Sequence, residues 1–129
     1  MAETGSRDVE VGGVRINVEY RRFGGDRGPA VRVYGDLDGR PVQLLRFDCF
    51  ENDPHYHYAP DVLTDVHRKL NPQEVPDPVA WTLAQLSGNL VSMIRTAGYD
   101  AVADRVDQDA VTNAIPRIEA AIREVSRGD

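Results

Sequence analysis

Along the first half of the chain, apolar and polar residues alternate with a period of two. The clearest run begins at Val14, and every second residue up to Tyr20 is apolar or aromatic, as is typical of a half-buried strand over 14–23. The runs 30–35 and 42–50 predict two further strands. Between them the pair Asp38-Gly39 favours the type I′ turn of a two-residue hairpin. These segments therefore predict an antiparallel sheet.

The segment 55–58, with the sequence HYHY, alternates again. Successive side chains of a strand point to opposite faces, so both imidazoles are expected on one face and both phenols on the other. The next run, 63–70, is compatible with a helix or with a strand that pairs back on 55–58. We expect the strand, because a short isolated helix is costly to nucleate and a neighbouring strand edge is available. In that hairpin His67 lies near His57.

The hydrophobic period changes to 3.6 after the proline-rich connector 71–78. Asp77 followed by Pro78 combines a favourable N-cap with a favourable first helical residue, and so predicts where a helix begins. Its apolar stripe continues at spacings of three and four up to Ala97, and Gly98 then serves as the C-cap. Leu90 lies in the middle of this stripe, and we expect it in the hydrophobic core.

Two further helices are predicted towards the C-terminus, over 101–106 and over 109–126. Pro116 lies inside the second and predicts a kink or a local break. Strands followed by helices indicate an α+β fold. We expect an antiparallel β-meander of four to five strands (about 14–70) followed by two to three helices (about 78–126) packed on one face. Residues 1–13 are expected to form a flexible N-terminus, and 14–129 a single α+β domain.

Charge and composition narrow the classes of function. The formal net charge of −6 argues against nucleic-acid binding, which needs a clustered basic surface. One cysteine in 129 residues excludes an internal disulfide and fits a reducing compartment. The chain contains no apolar run long enough for a signal peptide or a membrane span, so we expect a cytoplasmic protein without membrane contact. Basic residues are almost all Arg, which favours a GC-rich bacterial genome.

The segment 46–70 contains all three histidines of the chain, and they form the candidate metal site. A His-x-His pair on a strand directs two imidazoles to one side, and a third ligand nearby completes a set suited to a divalent transition metal such as zinc. The predicted ligands are His55, His57 and His67, with Asp48 or Asp61 as the carboxylate.

Metal-free acid–base chemistry is the second interpretation of these residues, with Asp48, His55 and His57 as the candidate catalytic residues. The structural interpretation is that the histidines and tyrosines form a polar, aromatic sheet surface that packs against a neighbouring subunit or against the connector 71–78. Cys49 alternates onto the apolar face of its strand, so we expect a buried thiol and not a nucleophile.

Several of these segments together resemble a known group of proteins. RFDCF at 46–50, PHYHY at 54–58 and Asp77-Pro78 with Trp81 look like a family of short bacterial proteins that is itself a domain of unknown function. The resemblance covers about residues 30–99 and implies no activity. A hairpin followed by an Arg-x-Asp strand and a Pro-His-x-His segment is also distantly similar to TumE-like toxins, over about thirty residues. That resemblance implies an RNA-cleaving toxin.

The sequence thus leaves two classes of function open. The first is an interaction or accessory domain that binds a protein partner or a second copy of itself as a homo-oligomer. The second is a metal-dependent or acid–base enzyme that uses the histidine cluster. Whether the chain is an enzyme at all depends on whether the three imidazoles converge.

Overall fold

In the computed structural model, which describes residues 5–63 and 67–127, a sheet of six strands is followed by five helices. The strands are β1 Ser6–Val11, β2 Val14–Phe23, β3 Asp26–Leu37, β4 Arg40–Asp48, β5 His55–Tyr58 and β6 His67–Lys69. The helices are α1 Pro78–Gly88, α2 Leu90–Thr96, α3 Asp100–Ala103, α4 Gln108–Asn113 and α5 Ile115–Ser126. Strand order in the sheet follows the chain and every pairing is antiparallel, which confirms the predicted α+β fold with a β-meander.

The predicted count of four to five strands is too low, because β1 forms within the segment 1–13 that we expected to be flexible. Gly12 and Gly13 both have positive φ, 60° and 90°, and so form the tight turn that folds β1 back onto β2. Val9 then packs in the core with only 8% of its surface exposed. The alternation in β1 is too short to stand out in the sequence, and pairing with β2 stabilises the strand.

The other strands mostly follow the prediction. β2 and β5 have the predicted bounds. Asp38 and Gly39 have φ of 55° and 82°, as the predicted type I′ turn requires. β3 begins earlier than predicted, at Asp26, because the turn before it is confined to Gly24 and Gly25. Of the predicted strand 63–70, the structure describes β6, while residues 64–66 lie outside the described residues.

A β-bulge explains why β4 is apolar at two consecutive positions. Val33 pairs with Leu45 but Tyr34 pairs with Gln43, so Leu44 is an extra residue on β4. Leu44 and Leu45 are both fully buried in the same hydrophobic core. The bulge thus directs both leucines into one core, although they are neighbours in the chain.

The predicted long helix over 78–97 is broken at Asn89 into α1 and α2. The Asp77 side chain accepts a hydrogen bond from Ala80 N, which confirms the predicted N-cap. At the break, the Gln108 side chain satisfies both helix ends. Its Nε2 donates to the carbonyl oxygen of Leu86 at 2.9 Å, and its Oε1 accepts from the backbone N–H of Leu90 at 3.1 Å.

The predicted helix over 109–126 is likewise two helices, α4 and α5, which meet at Ala114. Pro116 lies in the first turn of α5, where its missing N–H costs nothing, so the predicted local break is confirmed. The predicted helix over 101–106 is shorter and becomes α3. None of the described helices has the length and the apolar composition that crossing a bilayer requires.

The two faces of the sheet differ in chemistry. One face supplies the residues Ile16, Val18, Val31, Val33, Leu45 and Phe47 to a core shared with the helices. The register places two rows of mostly polar residues on the other face, which we call the polar face. The first row is Asp8, Asn17, Arg32, Arg46, His57 and His67. The second row is Ser6, Glu19, Ala30, Asp48, His55 and Lys69.

Candidate functional site

The candidate site lies on the polar face where β4 pairs with β5. Asp48 is paired with His55 and Arg46 with His57, so alternation brings all four side chains to one side of the sheet. The β4–β5 connection is held by Asp26, whose carboxylate accepts hydrogen bonds from the backbone N–H groups of residues 52 and 53 at 3.0 and 2.8 Å. This connection fixes the register that aligns Asp48 with His55.

Asp48 is the centre of the cluster and is only 1% exposed. Its Oδ2 lies 3.1 Å from Arg46 Nε, 3.1 Å from His55 Nε2 and 3.5 Å from His57 Nε2. Its Oδ1 lies 3.4 Å from Nη1 of Arg21 on β2. Burial by itself raises the pKa of this carboxyl, but the contacts with His55, His57 and Arg46 outweigh it and hold the pKa well below its usual range. Asp48 is therefore a buried carboxylate.

His55 has an acceptor at each ring nitrogen. Nδ1 lies 2.8 Å from the carbonyl oxygen of Asp53, and Nε2 lies 3.1 Å from the Asp48 carboxylate. Neither acceptor carries a proton to share, so both hydrogen bonds form only when the ring is an imidazolium. The hydrogen bond with Asp48 accordingly raises the pKa of His55, although burial acts against it.

His57 has a different partner. Its Nε2 lies 3.1 Å from Nη2 of Arg46, and a guanidinium group only donates hydrogen bonds. Nε2 of His57 accepts in this contact when it carries no proton, whereas its 3.5 Å contact with Asp48 Oδ2 is a hydrogen bond only when it carries one. The two rings, with centroids 5.0 Å apart, thus have different hydrogen-bond partners although they are two residues apart on one strand.

His67 lies beside this cluster, as the sequence predicted. It pairs with His57 across β5 and β6, and its ring centroid lies 5.6 Å from that of His57 and 5.4 Å from that of His55. It is exposed, unlike the other two rings. The predicted alternative carboxylate, Asp61, contacts Nε2 of Gln43 at 3.4 Å and is not part of the cluster.

Three potential metal ligands do converge in the described part of the chain. One ligand atom from each of Asp48, His55 and His57 lies within 4.8 Å of the others, a set that contains two of the predicted histidines and one of the two predicted carboxylates. Metal–ligand bonds of about 2 Å fit such spacings. The hydrogen bond from His55 Nδ1 to the backbone is also the kind that orients a metal-bound imidazole. A bound cation has to displace the His55 proton and the Arg46 guanidinium.

The remaining candidates have structural roles. Cys49 is buried, its Sγ lies 3.4 Å from Thr82 Oγ1, and burial raises the pKa of this thiol to about 12. It is therefore inert as a nucleophile at neutral pH. Trp81 is partly buried and packs against Tyr56 and against Phe47 of the core, with ring centroids 5.1 and 6.2 Å apart respectively.

Arg21 is the site residue that sequence reasoning missed. It is 27 positions before Asp48, and no local pattern joins the two. The available signal was its place in the β2 alternation, which puts it on the polar face with Glu19. Alternation alone does not identify Asp48 as the partner of Arg21, because that requires the register of β2, β3 and β4.

Comparison with known proteins adds a family but no activity. No curated protein and no solved structure matches the chain. The model of a family described as a domain of unknown function, DUF7700, matches residues 8–122, which include most of β1, the other five strands and almost all of the helical layer. The chain therefore belongs to the DUF7700 family.

Proposed function

We propose that this chain is an interaction domain that binds through the polar face of its sheet, and that its partner is a second copy of the chain. The observation that supports this proposal is the distribution of charged residues across the polar face. The acids Asp8, Glu10 and Glu19 lie on β1 and β2, at one edge, whereas His55, His67 and Lys69 lie on β5 and β6, at the other. One edge of the face thus carries these acids and the other carries its histidines and Lys69, although Asp8, Glu19 and Lys69 also pair with Arg15, Arg32 and Asp53 of the same chain.

This distribution is complementary to itself. A two-fold axis parallel to the strands places β1 of one copy over β6 of the other, so that Asp8 of the first row faces His67 of the other copy. Aligned packing of two sheets is a common arrangement. Charge complementarity of this kind favours association that weakens as salt screens it. The proposed dimer is therefore salt-sensitive.

Sedimentation equilibrium in phosphate-free buffer tests the proposal. We expect a dimer at high protein concentration and low salt, and a shift towards monomer as salt is added. Asp8→Lys and His67→Asp should each weaken the dimer several-fold, because an exposed ion pair contributes about 0.2–1 kcal/mol and occurs twice in the dimer. Combining the two substitutions should restore association, since the charges are then exchanged.

Arg117→Glu, on the exposed helical side of α5, is the matched control and should leave association unchanged. A protein that stays monomeric at all concentrations and salt conditions contradicts the proposal. Association that responds equally to Arg117→Glu and to His67→Asp places the interface elsewhere.

A metal-dependent enzyme is the second candidate function, and the ligand set of Asp48, His55 and His57 favours it. Zinc titrated into the purified protein, followed by elemental analysis, should then give about one equivalent per chain. His57→Ala should abolish uptake, and Arg46→Gln should strengthen it by removing a competing cation. His67→Ala distinguishes the ligand set of Asp48, His55 and His57 from the predicted set of three histidines, because it weakens zinc binding only where His67 is a ligand.

An acid–base enzyme, such as the RNA-cleaving toxin that the distant resemblance implies, is the remaining form of this candidate. In such an enzyme His55 has to release Asp48 before it exchanges a proton with a substrate, because both of its ring nitrogens already have hydrogen-bond partners. Incubation of RNA with the wild type and with His57→Ala tests it. Cleavage by the wild type alone supports an enzyme, and no cleavage by either protein contradicts this form.

A further inference from the structure

Two arginines of the polar face have a carboxylate of their own. Arg15 Nη1 lies 3.3 Å from Asp8, and Arg32 Nη1 lies 2.9 Å from Glu19. Each pair is neutral as a unit. Each pair contains one positive and one negative charge and so adds no net charge to the polar face.

Arg21 and Arg46 differ because they share one carboxylate. Arg21 Nη1 contacts Oδ1 of Asp48 at 3.4 Å, and Arg46 Nε contacts Oδ2 at 3.1 Å. Two guanidinium groups, which are always charged, thus face a single negative charge. Even with neutral histidines, the cluster has one positive charge in excess, in a chain whose formal net charge is −6.

Both guanidinium groups are held in place and still reach solvent. The Arg21 guanidinium lies over the rings of Phe23 and Phe50, at 5.5 and 6.0 Å from their centroids, and Arg46 is held by Asp48 and His57. The two arginine side chains remain 27% and 25% exposed. Each has five N–H donors, and the bonds to Asp48 and His57 use only some of them.

We propose that Arg21 and Arg46 form a binding site for a phosphate group, carried by free phosphate or by a phosphate monoester. Planar guanidinium groups match the oxygens of phosphate and bind them with charge-assisted hydrogen bonds. A bound phosphate offsets the excess positive charge of the pair. The buried Asp48 holds both arginines, and part of each arginine side chain stays exposed. This site goes beyond the proposed self-association and does not depend on it.

The negative charge of the whole chain does not prevent this binding. Exposed charges farther away than about 8 Å are largely screened at physiological ionic strength. The local excess therefore decides the affinity, and the two arginines supply it. The same excess positive charge opposes the binding of a metal cation at Asp48. Titration with phosphate and titration with zinc therefore distinguish an anion site from a metal site in this cluster.

Isothermal titration calorimetry and thermal unfolding with inorganic phosphate test the site, with sodium chloride at matched ionic strength as the reference. We expect saturable binding and a rise of Tm with phosphate but not with chloride. Arg21→Gln and Arg46→Gln should each weaken binding by about ten-fold or more, since each removes charged hydrogen bonds. Arg15→Gln, on the same face, is the matched control and should bind as the wild type does.

Two further arms keep the test decisive. Arg21→Lys and Arg46→Lys retain the charge beside Asp48 and so protect the fold, but they remove the planar fork and should still weaken binding. Phenyl phosphate replaces inorganic phosphate in a parallel titration. Tighter binding of the monoester assigns the site to a phosphorylated ligand, and binding of inorganic phosphate at least as tight assigns it to the free anion.

Equal effects of phosphate and chloride overturn the proposal, and so does an Arg15→Gln variant that loses binding as much as Arg21→Gln. Loss of phosphate binding in this experiment is distinct from failure of the proposed interaction function. Both proposals use the polar face, so phosphate is titrated at a protein concentration at which sedimentation shows a monomer. Self-association is measured by sedimentation without phosphate, and each result then stands without the other.

Discussion

The Asp48 carboxylate lies 3.1 Å from Nε2 of His55, on the neighbouring strand and directly opposite in register. This contact joins β5 to β4 by an ion pair in addition to the backbone hydrogen bonds. Since the other ring nitrogen of His55 contacts a carbonyl oxygen, both contacts are hydrogen bonds only when the ring is an imidazolium. The stability of the sheet edge is therefore linked to pH.

The first prediction concerns this linkage. The folded-state pKa of His55 is raised above 6.5, so its contribution to stability is complete below pH 6.5 and is lost as pH rises through the folded value. The folded-state pKa of Asp48 is lowered below 3.8, so its contribution is complete above pH 3.8 and is lost as pH falls. The free energy of unfolding from urea denaturation should therefore decrease as pH rises above 6.5.

His55→Gln should flatten this decrease, because it removes the titrating ring. His67→Gln is the control, since His67 is exposed and contacts no carboxylate in the described part of the chain. A wild-type protein whose stability is constant between pH 6 and 9 contradicts the linkage.

The second prediction concerns the buried charge. Asp48→Asn should destabilise the fold by roughly 3–5 kcal/mol, because it leaves two guanidinium groups facing no carboxylate. Asp8→Asn removes a carboxylate that is also paired with an arginine, but one that is 48% exposed, and should cost less than about 1 kcal/mol. Chemical denaturation of both variants measures the difference. Equal losses of stability in the two variants show that the burial of Asp48 does not increase its contribution to stability.

The third prediction concerns the break between α1 and α2. Gln108→Ala should destabilise the protein by about 1–3 kcal/mol, because it leaves buried polar groups at both helix ends without a partner. Gln73→Ala, at an exposed position of the connector, should change stability by less than about 0.5 kcal/mol. Thermal unfolding of the two variants is the measurement, and a Gln108→Ala variant as stable as the wild type contradicts the role of this side chain.

The fourth prediction concerns the core. Leu90 is fully buried, as the hydrophobic stripe predicted, and Leu90→Ala should cost roughly 2–5 kcal/mol. Val91→Ala, at the half-buried neighbouring position, should cost less. Urea denaturation of both variants tests this order, and its reversal indicates that the α2 packing is not as described.

The sequence by itself determined the elements whose signals are local. Alternation in 14–23 and 55–58 predicted two strands with their observed bounds, because the two-residue period of a strand depends only on neighbours. The same period placed His55 and His57 on one face. The Asp77 N-cap was predicted because capping needs only the first turn of the helix.

Tertiary structure decided where these elements stop and what their side chains contact. The stripe over 78–97 continues through Asn89, but Gln108, 18 residues after Leu90 in the chain, satisfies the backbone groups that a break exposes. The Gly88-Asn89 pair was the available signal, since both are poor helix formers.

The composition of the site was decided in the same way. The sequence predicted three histidines with Asp48 or Asp61 as the carboxylate. The structure centres the cluster on Asp48, leaves Asp61 outside it and adds Arg21, which lies 27 residues before Asp48 in the chain. Which side chains meet across a sheet depends on register, and here register is set by the turns and by the bulge at Leu44. Those features act between strands, so an alternating pattern within one strand carries no information about them.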